Sequence, residues 1–480
     1  MWYTKSKSNY EIFSSILRTE THMKQLSGYI ENIVNKQHTF FNHNQTKDIA
    51  FRKAMLCRLK KAIRKNEKNI FKALHHDLGK SKAEAYMSEI AMVYREIDTT
   101  IANIQKWSRP KHVSGTISTF PSKNYIYSEP YGVVLIVAPW NYPVNLSLCP
   151  LVGAIAAGNC AVIKCSKNSQ ASSELIQDII NNTFNNNYIY CTDADINHDI
   201  LLNQKYDYIF FTGSPDTGRK IMKKASETLT PVSLELGGKS PCIIDETANL
   251  KMAARKIAWG KFLNAGQTCI SIDYVLIHEN VKKAFITELK KEINKRYANA
   301  TFSDSYPKIV NCRHYNRLKK LISTETKIIG GEYNDIERKI APALLPETDF
   351  GKPVMQEEIF GPLLPIISYK NINKIIQTLK NKEKPLACYV FTSKKATAHK
   401  IIHEVSYGGG CINDVVVHIS NHNLPFGGVG NSGIGSYHGK YSFETFSHQK
   451  GIVKSSGKFD VPVRYAPYGK LKYFLIKKIL

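Results

Sequence analysis

From residue 46 the chain reads as a helix, because Phe51, Met55, Leu59 and Ile63 recur on one helical face with Lys and Arg opposite. Further helical stretches are expected at 70–74 and 84–107, the second ending before Pro110. Residues 116–128 alternate as a strand or ribbon does, and Pro121 confines part of that stretch to a sheet edge. This is an all-helical lead-in that packs on a later sheet, and no chemistry is visible in it.

The pattern changes at Tyr131. Residues 133–137 form a continuous apolar run of the kind found in buried parallel strands. The proline-bracketed loop Ala138-Pro139-Trp140-Asn141-Tyr142-Pro143 follows, then a small-residue helix at 144–157 ended by Gly158-Asn159, then a strand at 161–164. Strand, helix and strand of these lengths make a βαβ unit. Asn141 falls at the carboxyl end of its first strand, where open α/β sheets place ligands.

A second unit has a strand at 206–212, a turn at 213–218, a helix at 219–227 and a strand at 232–236. A glycine turn opening a helix suits a phosphate, since free N–H groups and the helix dipole point outward. The spacing is not GxGxxG, and Gly218 is followed by Arg219-Lys220-Ile221, which disfavours a P-loop and an NTPase. Glu235, before Leu236-Gly237-Gly238-Lys239, is either a solvated cap or a base.

A strand at 242–245 and a helix at 251–262 then lead to Asn264-Ala265-Gly266-Gln267-Thr268-Cys269, before a strand at 274–278. A cysteine on such a loop is either a core thiol or a nucleophile facing a cleft. Two later stretches, Glu357-Glu358-Ile359-Phe360-Gly361-Pro362 and Asn423-Leu424-Pro425-Phe426-Gly427-Gly428-Val429-Gly430, are too rich in special residues for plain connections.

Composition narrows the class. With 480 residues, 43% hydrophobic and 22% charged, the chain is a soluble globular protein of two or three domains. No repeat or low-complexity linker separates them, so the domains are expected to interleave. Ten cysteines without a CxxC pair exclude the usual zinc ribbon or disulfide scaffold and favour a reducing, cytoplasmic setting. No apolar run approaches the roughly 20 residues that span a bilayer. Residues 1–24 lack a signal-peptide core, and Met23 is an alternative start.

The net charge of +26 raises nucleic acid or an anionic membrane as partners. The charge is spread evenly and no RRM, zinc-finger or helix-turn-helix signature accompanies it, so no nucleic acid is expected. His403, His418, His422, His438 and His448 lack a companion Cys or carboxylate pattern, and no metal is expected.

Six stretches, in order and at matching spacing, closely resemble the aldehyde dehydrogenase superfamily. They are Pro139-Trp140-Asn141, Phe211-Thr212-Gly213-Ser214, Leu234-Glu235-Leu236-Gly237-Gly238-Lys239, Gly266-Gln267-Thr268-Cys269, Glu358-Ile359-Phe360-Gly361-Pro362 and Pro425-Phe426-Gly427-Gly428. The resemblance covers about residues 33–451. The ending Tyr437-His438-Gly439-Lys440-Tyr441-Ser442-Phe443 is similar to the class 3, or fatty-aldehyde, branch, including bacterial members acting on long apolar and apocarotenoid aldehydes.

The resemblance implies a Rossmann-like cofactor-binding domain interleaved with an α/β catalytic domain and a small β-ribbon oligomerisation element. The expected division is 33–236 for cofactor binding, with an oligomerisation strand near 116–130, 237–410 for catalysis, and 411–480 as a return segment with a second such strand and a basic tail. A homodimer is implied for this branch. Cys269 would attack the aldehyde as a thiolate, the Asn141 amide and the Cys269 N–H would hold the oxyanion, and Glu235 would activate the water that hydrolyses the thioester.

For NAD or NADP the resemblance implies Lys164 and Lys167 at the adenosine ribose, Gly213 and Ser214 at the pyrophosphate, Glu358 at the nicotinamide ribose, and Phe360 and Trp140 beside it. Many members carry Glu where this chain has Lys167; losing that carboxylate favours or at least tolerates NADP. Tyr142, Trp259, Thr268 and Phe426 match the family's substrate passage, and their apolar character suits an aliphatic or aryl aldehyde. The tail at 468–478 mixes lysines with large apolar residues, which suits either an anionic membrane surface or a dimer partner. A coenzyme A-acylating relative and a non-catalytic protein on the same fold are the rival readings. Glu235 argues against the first, and Cys269, Glu235 and Asn141 together against the second.

Overall fold

The computed structural model describes the backbone of residues 3–479 and the side chains of residues 23–478. The expectation about Met23 concerns the residues before it, whose side chains lie outside the described ones. Two largely parallel sheets form the core. The first has six strands in the order Gly433–Ile434, Val232–Glu235, Tyr208–Thr212, Val133–Val137, Cys160–Lys164 and Ile189–Cys191. The strands Val133–Val137, Cys160–Lys164 and Tyr208–Thr212 are buried at every position, so their sequences are unbroken apolar runs ending in Lys164 and Thr212.

The second sheet has seven strands, in the order Ile329–Gly330, Ala343–Leu345, Leu363–Tyr369, Tyr274–His278, Pro241–Ile244, Ala387–Phe391 and Gly409–Ile412. The chain leaves the first sheet after Glu235, builds the second, and returns when Gly433 pairs antiparallel with Glu235. It then adds Ser447–Ser455 along the whole of Ser122–Pro130, from Ser447 opposite Pro130 to Ser455 opposite Ser122, in a third, three-stranded sheet. The interleaving expected from the missing linkers is therefore present.

Four boundaries differ from the sequence reading, each for a local reason. One helix, Ile49–Leu78, replaces two: Asp48 caps it by accepting from the Ala50 and Phe51 N–H groups, and Gly79 ends it at φ 67°. Residues 84–107 form a short helix Lys82–Ala85, a π-helical turn Tyr86–Ile90 and the helix Ala91–Trp107. The ribbon strand starts only at Ser122, after a 3-10 turn Ile117–Thr119, because Pro121 has no N–H to pair. The expected turn at 213–218 is mostly helix: Ser214 caps Pro215–Ser226, and Pro215 occupies the first helical position.

The return segment is anchored by a buried carboxylate on the helix Ala91–Trp107. Glu96 accepts from the Gly439 N–H (2.8 Å), Ser442 Oγ (3.2 Å) and His422 Nδ1 (2.6 Å), with His438 Nδ1 at 3.6 Å. His422 and His438 therefore do have a companion carboxylate, contrary to the sequence reading, which had no means of pairing them with a residue so far away. These donor atoms lie within 4.8 Å of one another, as a metal-binding set would. The 2.6 Å His422–Glu96 separation is a hydrogen-bond length. Two ligands sharing a tetrahedral ion at about 2.1 Å would stand about 3.4 Å apart.

Burial alone would push the Glu96 carboxyl up, but the hydrogen bond from His422 and the adjacent His438 ring outweigh it and hold it down at about 2. A depressed carboxylate contributes stability above its unfolded value and loses it as the pH falls toward its folded value. Glu96→Gln is expected to cost about 2 kcal/mol in urea unfolding at neutral pH. The gap from the native protein should narrow between pH 4.5 and about 2.

Candidate active site

The helix Leu250–Phe262 passes into a 3-10 turn, Leu263–Gly266, in which Asn264 and Ala265 both sit at φ 51°. Left-handed backbone is tolerable for Asn and strained for Ala, and it persists only when its surroundings hold it. They do. Asn264 Nδ2 donates to the Gln267 carbonyl (3.2 Å) and to the Asn141 carbonyl (2.9 Å). Gln267 Nε2 donates to the carbonyls of Asn264 (3.1 Å) and Lys308 (3.0 Å), while its Oε1 accepts from the Val310 N–H (3.0 Å). Gly266, at φ +76°, packs so closely on the Gly361 carbonyl that a Cβ would collide with it. This clamp sets the position of Cys269.

Cys269 is half-buried in a cleft of about 890 Å³ that also exposes Trp140, Asn141, Gly213, Ser214, Glu235, Glu358 and Phe360. The loops bearing Trp140–Asn141 and Gly213–Ser214 follow the adjacent strands Val133–Val137 and Tyr208–Thr212. Burial, together with the nearby Glu358 and Glu235 carboxyls, pushes the Cys269 thiol up to about 12, against the pull of the Ile270 and Cys269 N–H groups. The resting thiol is therefore neutral and requires a base to become nucleophilic.

Asn141 Nδ2 donates one hydrogen to the Gln267 carbonyl at 3.1 Å. An amide nitrogen carries two hydrogens, so a second donor remains for a ligand. Glu235 is held by backbone pairing on both sides, opposite Thr212 and Gly433, and neither carboxyl oxygen has a partner among the described residues. Burial drives its carboxyl well above the usual range. Glu358 is pushed up to about 8, first by burial and then by Asp273.

Two residues overlooked in the sequence organise the Glu358 loop. Lys239 pairs with Asp273 and donates to the carbonyls of Val354 (3.1 Å) and Glu357 (2.8 Å); Asp273 accepts from the Ile359 N–H (2.9 Å). A Cβ at Gly237 would strike the Glu358 carboxylate, so the glycine lets that side chain in. Lys239 stood within a matched motif, but its partner lies 34 residues on and nothing local marks it.

The other expected residues lie outside this cleft. Lys164 is buried, and its ammonium donates to the carbonyls of Cys165 (3.2 Å) and Ala194 (3.1 Å), whereas Lys167 is exposed. Burial, followed by the charge of Lys164, lowers the nearby His198 to about 4. Tyr142 and Thr268 are buried and share a 2.6 Å hydrogen bond. Trp259 is half-buried against the core, and Phe426 is buried, stacked on His418 and edge-on to Tyr437.

A dinucleotide fits the cleft. The Gly213–Ser214 turn opens the helix Pro215–Ser226 into it, an arrangement that binds phosphate. The Thr212 hydroxyl, also in the cleft, has no partner among the described residues. The five parallel strands of the first sheet run third, second, first, fourth, fifth in chain order, and the cleft opens at the switch point between the first and fourth. That topology, shared with nucleotide-binding sheets and joined here to a second sheet bearing a thiol and carboxylates, defines a dinucleotide-dependent oxidoreductase.

The chain belongs to the aldehyde dehydrogenase family, whose sequence profile it matches over residues 21–452. It is an aldehyde-oxidising enzyme that uses NAD(P). It is 46% identical over 439 residues to the 4,4'-diaponeurosporen-aldehyde dehydrogenase of Staphylococcus aureus, covering 90% of this chain and 96% of that one. It is 43% identical over 429 residues to the dimeric NADP-preferring aldehyde dehydrogenase of Rattus norvegicus, covering 89% and 95%. Among solved structures, substrate-bound Staphylococcus aureus AldH superposes with a TM-score of 0.91 at 45% identity, covering 94% of this chain and 99% of that one.

Proposed function

We propose that this enzyme oxidises a long apolar aldehyde to its carboxylic acid through a covalent intermediate on Cys269, released by water. The observation that carries the reading is the meeting in one cleft of a half-buried thiol, an amide with a spare N–H and a buried carboxyl without partners. Cys269 gives its proton to Glu235, which passes it to solvent, and the thiolate adds to the aldehyde carbon, while the Asn141 amide and Cys269 N–H receive the oxyanion of the tetrahedral adduct. A bound nicotinamide supplies the hydride acceptor. Glu235 takes the proton of the water that cleaves the resulting thioester and frees the acid. Burial raises its proton affinity above that of an ordinary carboxylate, which makes it the stronger base once ionised. Residues 33–236 carry cofactor binding, 237–410 catalysis, and 411–480 the return.

The substrate class rests on the Staphylococcus aureus relative, which is named for 4,4'-diaponeurosporen-aldehyde. Cys269→Ser is expected to lower aldehyde oxidation by on the order of a thousandfold or more. Native enzyme should release free acid at the same rate with and without coenzyme A. Full turnover by the serine variant, or an acyl-coenzyme A product, would count against this mechanism.

NADP is accepted, we infer, because Lys164 and Lys167 flank the ribose corner and no acidic side chain stands at position 167. The exposed Asp195 is the acidic neighbour of Lys164. The rat relative is named NADP-preferring. The ratio of kcat/KM for NAD and NADP tests this. A preference for NAD beyond about a hundredfold sinks the reading, and Lys167→Glu should move the ratio toward NAD.

Pairing through the exposed ribbon Ser447–Ser455 supports a homodimer, since eight of its nine residues face solvent in one protomer, Val453 among them. The ten free cysteines support a cytoplasmic setting. Among the described residues no helix is long and apolar enough to cross a membrane. The helix Lys470–Ile479 exposes Leu471, Tyr473, Phe474 and Leu475 beside four lysines, and rests against the turn Pro462–Arg464. We assign it to an anionic membrane surface, at the inner face, where apolar aldehydes partition. Liposomes containing phosphatidylserine should co-sediment the full chain and release it at high salt. Equal sedimentation of a chain ending at residue 460 removes the assignment.

A further inference from the structure

The helical lead-in places three ionisable side chains under the reactive loops. Lys80, which follows the helix Ile49–Leu78, is fully buried; its ammonium donates to Glu89 Oε1 (2.6 Å) and to the Asn141 carbonyl (2.9 Å). It also stands 3.9 Å from the centre of the Tyr142 ring. Glu89 turns its other oxygen to the N–H groups of Val144 (3.1 Å) and Asn145 (3.0 Å), in the first turn of the helix Pro143–Ala157. Glu84 accepts from the Asn264 N–H (2.8 Å), and Asn264 in turn donates to the same Asn141 carbonyl. The backbone carbonyl of Asn141 and the turn that leads to Cys269 thus hang from one charged cluster.

For stability alone the arrangement is a poor bargain, because desolvating an ammonium and two carboxyls offsets much of their attraction, and apolar residues of similar volume do as well or better. Burial indeed raises both Glu84 and Glu89. What an apolar filling cannot provide is direction. A carbonyl gripped by an ammonium and an amide, next to a helix start gripped by a carboxylate, leaves the intervening residue little freedom.

We propose that Lys80, Glu89 and Glu84 are positioning residues for the oxyanion site, holding the Asn141 and Asn264 backbones so that the Asn141 amide and the Cys269 N–H converge on one point. The proposal rests on the oxyanion role given to Asn141 above. Misplacing a reacting group by about 1 Å can cost about a hundredfold, and losing an oxyanion donor costs about a hundred- to a thousandfold.

Lys80→Met alone would strand the Glu89 carboxylate, so the informative variant is Lys80→Met/Glu89→Gln, whose amide oxygen still accepts the helix N–H groups. The assay uses full-length enzyme with an aliphatic aldehyde and its 1-deutero form, and fluorescence titration of NADH and NADPH. The expected result is a kcat lower by about 10- to 100-fold, a larger deuterium isotope effect, and cofactor Kd values within about twofold of native. A folded double variant with native kcat and isotope effect overturns the proposal, as does a kcat loss matched by loss of cofactor binding. If the double variant does not fold, Glu84→Ala decides: an unchanged kcat and isotope effect overturns it, and a lower kcat with a larger isotope effect supports it. Asn141→Ala run alongside separates the two readings. If it keeps native kcat, the oxyanion role itself falls; if it alone loses kcat, only the positioning role falls.

Discussion

A left-handed turn held against a neighbouring loop governs the cleft. Asn264 and Ala265 adopt φ 51° because Gln267 is clamped from both sides and because Gly266 lies flat on the Gly361 carbonyl. The amide of Asn141 closes the clamp from the other sheet by donating to the Gln267 carbonyl. The position of the thiol relative to the first sheet is therefore decided by hydrogen bonds between three loops, each supplied by a different part of the chain. Loosening any of them changes where Cys269 stands relative to the dinucleotide.

Burial then sets the chemistry of the groups so placed. Cys269, Glu235 and Glu358 are all shifted toward their protonated forms by loss of water, and the two carboxyls reinforce the effect on the thiol. A neutral thiol is a resting arrangement, in which the nucleophile ionises only as its proton finds an acceptor. The raised carboxyl at Glu235 also retains enough basicity to act later on water. Depressed values occur where the structure needs permanent charge, as at Glu96, whose ionised form ties the return segment to the lead-in.

Much of this was legible in the chain. The unbroken apolar run at 133–137 announces a buried parallel strand, and the six motifs around Asn141, Gly213, Glu235, Cys269, Glu358 and Phe426 announce the family. Local grammar also accounts for the boundary errors, since a Ser214 cap and a proline at the first helical position turn an expected loop into helix. The histidines were misread for a different reason: Glu96 lies 326 residues before His422, and no period or motif relates them. Lys80, Glu84 and Glu89 fall in a lead-in where no chemistry is visible, because polar residues that pair in a core look the same in sequence as those that face water.

The sequence by itself determined the fold class, the family and the identity of the residues around the thiol, because these depend on residue type at short spacing: apolar runs, glycines at tight turns, a cap before a helix. Tertiary structure alone decided which charges are buried, what each one holds, and which expected residues face the cleft. Trp259 and Phe426 lie in the packed interior beside the thiol rather than in the lining of the cleft, Lys239 with Asp273 braces its wall, and Lys80 with Glu89 is buried under the Asn141 loop. The physical reason is that desolvation and hydrogen bonding act through space, between groups the chain brings together only after both sheets have closed.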